Sequence, residues 1–177
     1  METASDLFYR EGIRAVGVDT VSERAGVSKR TLYNRFGGKD GLVAEYLRRR
    51  DERWKAYLSG VAEGEAGPRE KLLAVFEAYG EWLVGGDFRG CAFANAAAEI
   101  PDPYHPARVV ARRHKEGVGE YLATVAEEAE FEEPRALAER LLLLLEGAAA
   151  TAAMRHSGEP LEVAKSVARE LLDARSR

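Results

Sequence analysis

Apolar residues recur at helical spacing along almost the whole chain, and nowhere do apolar and polar residues alternate long enough to predict a strand. Gly and Pro punctuate that pattern. A first helix is expected over residues 1–11, stopped by Gly12 as a glycine C-cap with Ile13 beyond it. Thr20 and Glu23 have the spacing of a capping box, so a second helix is expected to open at Thr20 and end at Gly26. Ser28 then caps a third helix ending near Phe36, and a fourth runs from Lys39 into the fifties, closed by Gly64 and Gly67-Pro68. Longer helices are expected over 69–84, 106–129, 134–156 and 160–175, with a short one over 91–99. Pro106, Pro134 and Pro160 stand where helices begin, the place where proline is tolerated. The expected architecture is all-α, a three-helix head over residues 1–47 followed by a helical body over 48–177.

The two short helices of the head are joined by "AGVS". A helix-turn-helix needs a small residue at the crossing, which Ala25 supplies, and a residue free to take positive φ in the turn, which Gly26 supplies. Val27 is expected to plug the turn into a small core with Leu7, Phe8, Val21, Leu32 and Phe36. The other side of the third helix carries Lys29, Arg30, Thr31, Tyr33 and Asn34. Lys and Arg suit guanine O6 and N7, Asn can pair with adenine, and a Thr methyl can meet thymine. Helices starting at Thr20, Ser28 and Lys39 would offer backbone N–H groups to phosphate beside that face.

Charge is divided unevenly. Through Leu58 there are 12 Lys/Arg against 9 Asp/Glu (+3), and beyond it 14 against 21 (−7), within a net formal charge of −4. A basic front and an acidic back place any polyanionic partner at the front.

The run "DTVSERAGVSKRTLYNRFGGKDGLV", Asp19 to Val43, resembles the DNA-binding domain of the tetracycline-repressor (TetR) family of bacterial regulators. It carries a Thr opening helix two, the A-G-V-S turn, an L-Y pair, a Phe ending helix three, and a Lys followed by an acid opening helix four. The resemblance covers about the first 58 residues, and the remainder matches only in helical plan. It implies that Thr20 and Ser28 hold phosphates, that Lys29, Arg30, Thr31 and Asn34 read bases, and that Tyr33 and Lys39 meet further phosphates. Gly38 departs from the pattern, standing where a Ser or Asn usually caps helix four.

In the body, Leu72, Phe76, Tyr79 and Leu83 line one helix face, with Trp82 alongside. Trp54, Tyr57, Phe88, Phe93, Tyr104 and Tyr121 are expected to converge with them between helices, with Asn95, Glu99, His105 and His114 as polar groups. That composition suits a small apolar or aromatic ligand, and the resemblance implies an effector that releases DNA. The last two helices supply Leu141, Leu145, Ala148, Ala149, Ala152, Val163, Val167 and Leu171 for a four-helix seam in a homodimer, which sets two heads on a palindromic duplex. No cofactor is implied, the three His lack metal-ligand spacing, and Cys91 stands alone. No apolar run spans a bilayer and no signal-peptide pattern is present, so a cytoplasmic, ligand-responsive repressor is expected. Two other readings stay open: a small helical enzyme with a cavity around Glu99, His105 and His114, and a dimerisation module that no longer reads DNA. The first has no nucleophile, metal cluster or Gly-rich phosphate loop to support it.

Overall fold

A computed structural model describes residues 1–84 and 89–174. The expected pocket residue Phe88 and the expected helix end at Arg175 lie outside the described residues. Among these there are nine helices and no strands: α1 (Glu2–Glu11), α2 (Val18–Ala25), α3 (Lys29–Phe36), α4 (Lys39–Glu63), α5 (Pro68–Val84), α6 (Ala92–Glu99), α7 (Pro106–Glu128), α8 (Pro134–Arg155) and α9 (Glu159–Ala174). Proline opens α5, α7 and α8, where its missing N–H would have had no intrahelical acceptor anyway.

Compactness divides the chain differently from a boundary at residue 47. One unit comprises Met1–Arg53 with Cys91–His114, and the other Trp54–Gly90 with Lys115–Arg177. The first unit, the head unit, buries one face from each of its helices. Leu7 and Phe8 of α1, Val21 of α2, Leu32 of α3, and Leu42, Val43, Tyr46 and Leu47 of α4 meet Phe93 and Ala96 of α6 and Ala107 and Ala111 of α7. The thiol of Cys91 lies in this core, at the N-cap of α6.

Two expected helix ends shift. The start of α2 is not at Thr20: Val21 N–H already bonds Gly17 O, Gly17 is the N-cap, and no side chain caps the helix. Val18 packs against the head core, so the helix begins two residues early, Thr20 becomes its third residue, and the Thr20–Glu23 capping box does not form. Gly12 is not a left-handed cap either. It takes φ 97° and ψ 150°, with the Glu99 carboxylate 3.3 Å from where a Cβ would stand.

The approach of α4 to the end of α3 depends on Gly41. A Cβ at that position would stand 1.8 Å from the Phe36 carbonyl oxygen, inside any allowed contact.

In the second unit, the body, α5, α8 and α9 pack against one another. The core holds Leu72, Phe76 and Tyr79 of α5, Leu122 of α7, Leu137, Leu141 and Leu145 of α8, and Leu161 and Leu172 of α9, around Trp54 from the body part of α4. No helix among the described residues is long and apolar enough to cross a membrane.

Gly41→Ala is expected to lower stability by about 1–3 kcal/mol, because backbone must move to admit the methyl group. Gly60→Ala, also within α4 but with nothing within 4 Å of its added Cβ, should instead gain about 0.5–1 kcal/mol. Urea unfolding midpoints of the two variants, compared with the parent, check both signs.

Candidate nucleic-acid interface

The turn between α2 and α3 is built from backbone and hydroxyl hydrogen bonds. Gly26 sits in the left-handed region (φ 64°, ψ 30°) and its N–H reaches Glu23 O at 3.2 Å. Val27 N–H bonds Ser22 O at 3.1 Å, while the Ser22 hydroxyl donates to Val27 O at 2.6 Å. These bonds fix the backbone so that the Val27 side chain faces out, 38% exposed, contrary to the expectation that it plugs the core. The core under α3 is filled by Leu32, with Phe36 half-buried beside it. Ser28 caps α3 as expected: its hydroxyl oxygen accepts from Thr31 N–H at 3.1 Å and lies 2.9 Å from the Thr31 hydroxyl.

With Leu32 turned inward, the rest of the helix faces solvent. Ser28, Lys29, Arg30, Thr31, Tyr33, Asn34 and Arg35 are all exposed, and Thr20 and Lys39 are half-buried. Tyr33 keeps 53% of its surface in water, so its ring and its hydroxyl are both open to a partner. The Arg35 guanidinium lies over the Phe36 ring at 5.6 Å. The first turn of α3 holds no acid. Asp19, in the first turn of α2, does reach it: its carboxylate pairs with the Lys29 ammonium at 2.7 Å, a contact that charge counting along the sequence does not reveal.

The loop behind this face is braced from within the same unit. Glu99 accepts the Arg14 N–H at 2.8 Å, and Lys39 Nζ donates to Arg14 O at 3.4 Å. Asp40 faces His105 Nε2 at 3.3 Å, and His105 Nδ1 accepts the Ala107 N–H at 3.1 Å. His114 is buried, stacked on Phe93 with ring centroids 3.6 Å apart and bonded to Asp51 at 2.7 Å.

Glu99, His105 and His114 therefore do not form one polar cluster. Glu99 meets the backbone of Arg14, while His105 and His114 meet Asp40 and Asp51, well apart along α4, and with Phe93 and the half-buried Asn95 of α6 they belong to the head unit rather than to the body.

Tyr104, in the head unit too, is exposed and among the described residues joins no cluster of rings, while the other expected pocket residues lie in the body. Trp54, Tyr57, Tyr79 and Trp82 form a continuous ring cluster with neighbouring centroids 5.2–6.3 Å apart, and Phe76 is buried in the same core. The Tyr57 phenol donates to Glu81, and that bond raises its pKa. Tyr121 packs against this core too. Among the described residues its buried hydroxyl has no partner, and burial raises its pKa. The polar group beside the rings is one the sequence reading did not nominate: Lys115 Nζ donates to Glu146 at 2.5 Å and to the Tyr79 hydroxyl at 3.0 Å. Glu146 was legible as the one charge interrupting "LLLLLEGAAA", whereas nothing in the sequence distinguishes Lys115 from other lysines.

On α8 and α9 the expected seam divides by burial. Leu141, Leu145, Ala149 and Ala152 turn into the body's own core, because they share the helix face that α5 and α9 cover. Leu171 is half-buried, and Val163 and Val167 are exposed. Leu143 and Met154 join them at 65% and 77% exposure, and a shallow apolar groove runs past Ala148 between the two helices.

Comparison with known proteins agrees with this geometry. The family profile for bacterial regulatory proteins of the tetR family matches residues 1–46. The structure of SCO4454, a TetR-family transcriptional regulator from Streptomyces coelicolor, superposes with a TM-score of 0.92 at 29% identity, over 99% of this chain and 93% of that one. A protein from Streptomyces avermitilis assigned to the same regulators gives a TM-score of 0.78 at 32% identity, over 95% and 94%. The HTH-type transcriptional regulator YjdC of Escherichia coli is 24% identical over 172 residues, 96% of this chain and 89% of its own length. The fold and site define a helix-turn-helix regulator rather than an enzyme. The chain belongs to the TetR family of DNA-binding transcriptional regulators.

Ser28→Ala removes the side-chain acceptor at the start of α3 and should cost about 1 kcal/mol. A drop in urea midpoint with unchanged helical circular dichroism at 20 °C or so is the expected result.

Proposed function

We propose that the chain acts as a homodimer that binds a palindromic duplex through two α3 helices and releases it when a small apolar or aromatic molecule occupies the body, the behaviour of a ligand-responsive repressor. The observation that carries the reading is the α3 face: Lys29, Arg30, Thr31, Tyr33 and Asn34 are all exposed on a helix whose opposite side is fixed by Leu32. In this assignment Lys29, Arg30, Thr31 and Asn34 meet base edges, while Thr20, Ser28, Tyr33 and Lys39 meet phosphates and set register.

The dimer is supported by Leu143, Met154, Val163 and Val167, which leave one side of α8 and α9 apolar in a single chain. A two-fold axis through that face would bury it against its own copy. The effector reading is supported by the Trp54, Tyr57, Tyr79 and Trp82 cluster beside the Lys115–Glu146 pair, an aromatic core cluster with few polar groups. Release follows if the effector prefers a conformation whose head spacing misfits the operator, since a ligand shifts an equilibrium only by its difference in affinity for the two states. A dimerisation module without DNA reading is the rival.

Selection from a random duplex pool at about physiological salt suppresses phosphate-only binding and should return one palindrome. The doubly substituted chain Arg30→Ala, Tyr33→Ala should lose that duplex by at least about 10-fold while remaining dimeric. Retained binding would remove α3 as the reader, and recovery of no sequence by a folded dimer would favour the rival. Leu143→Glu with Val163→Glu should give monomers by sedimentation, and an unchanged dimer would relocate the seam.

A further inference from the structure

We infer that Asp19 and Lys29 work as one reading unit for a G·C base pair, in which Asp19 keeps the Lys29 ammonium from being spent on phosphate. The inference rests on the reading of α3 as the groove-entering helix.

The pair joins two helices, with Asp19 in the first turn of α2 and Lys29 as the first residue of α3, Nζ to Oδ1 at 2.7 Å. The two side chains are 57% and 74% exposed for Lys29 and Asp19, so the contact is screened by water and contributes little to stability. Its position gives it consequence. A lysine is a compact charge on a flexible stem with three donors, and at a helix start beside a duplex it would bind whichever phosphate came near. Binding of that kind is independent of sequence and disappears with salt. A carboxylate at 2.7 Å neutralises the ammonium toward phosphate and repels the backbone itself.

What can replace water around such a pair without breaking it is a partner that offers acceptors to the ammonium and a donor to the carboxylate side by side. In the major groove a G·C pair does so: guanine presents O6 and N7, and cytosine presents its N4 amino group. An A·T pair also shows acceptors and an amino group there, but the thymine side adds a methyl that would face a charged group. Helix α3 itself carries no acid, and Asp40, in the first turn of α4, is turned to His105 at 3.3 Å. Asp19 is thus the carboxylate that the structure brings to Lys29.

A bland account is available, since an acid in the first turn of α2 also favours the helix dipole. Asp19→Asn removes the charge from both roles and Asp19→Glu restores it to both, so the two are told apart by base preference, which the helix dipole does not set. The experiment compares duplex-pool selection by the parent, Asp19→Asn and Asp19→Glu chains, then measures affinity for the selected and a scrambled duplex across a salt series. The expected result is a G·C pair at one position of each half-site for the parent and Asp19→Glu, with that preference relaxed for Asp19→Asn. Asp19→Asn should also hold the scrambled duplex several-fold more tightly, with its salt slope steeper by about one phosphate contact.

The inference is overturned if Asp19→Asn selects the same bases at every position. It is equally overturned if selected and scrambled duplexes change by one common factor, which would be a field effect alone. In both cases a palindrome selected by the parent leaves the operator reading standing. If the parent selects nothing, both fall together.

Discussion

An eight-residue helix does not persist by itself in water, since nucleation costs more than so few hydrogen bonds return. Helix α3 is such a helix, and it exists because Leu32 is buried, with Phe36 half-buried beside it, and because Ser28 closes its start. The same anchoring decides function. Once one side is committed to the core, the remaining positions have no choice but to face solvent, and there the chain places Lys29, Arg30, Thr31, Tyr33 and Asn34. The close passage of α4 at Gly41 belongs to the same constraint, because it fixes where α3 ends and where Lys39 begins the next helix.

Around that face the polar contacts are arranged to hold loops and to manage charge. Glu99 and Lys39 grip the backbone N–H and C=O of Arg14, so the segment between α1 and α2 is tied to α6 and to the start of α4 within one unit. Asp19 brings a carboxylate to a lysine that counting would have left as a free cation. In the body the same economy of polar groups operates under lower exposure. Lys115, Glu146 and Tyr79 satisfy one another beside an aromatic cluster, where an unpaired charge would be costly.

The head was the legible part of the chain because its signals are local. A capping serine, a glycine free to take positive φ and apolar residues spaced for one helix face act within a few residues of one another, and the structure bears out α3 and its turn. Where a local signal met a tertiary one, the tertiary one prevailed. Val18 had a core to pack on, so α2 starts before the capping box at Thr20. Glu99 had the Arg14 N–H to meet and stands against Gly12, which gives that residue a conformation no cap requires.

The body was legible as helices and as an excess of apolar surface, and not beyond that. Helical periodicity says which residues share a face, but not which neighbour covers it. Leu141, Leu145, Ala149 and Ala152 thus went to the interior, while Leu143, Met154, Val163 and Val167 stayed outside. Glu99, His105 and His114 looked collectable into one cavity, and packing sent each to a different partner. By itself the sequence determined an all-helical chain with a basic reading helix after a glycine turn, because propensity, capping and spacing act between near neighbours. Only the tertiary structure decided which apolar face is core and which is free, and which acid meets which base, because those depend on residues far apart in the chain arriving at the same place.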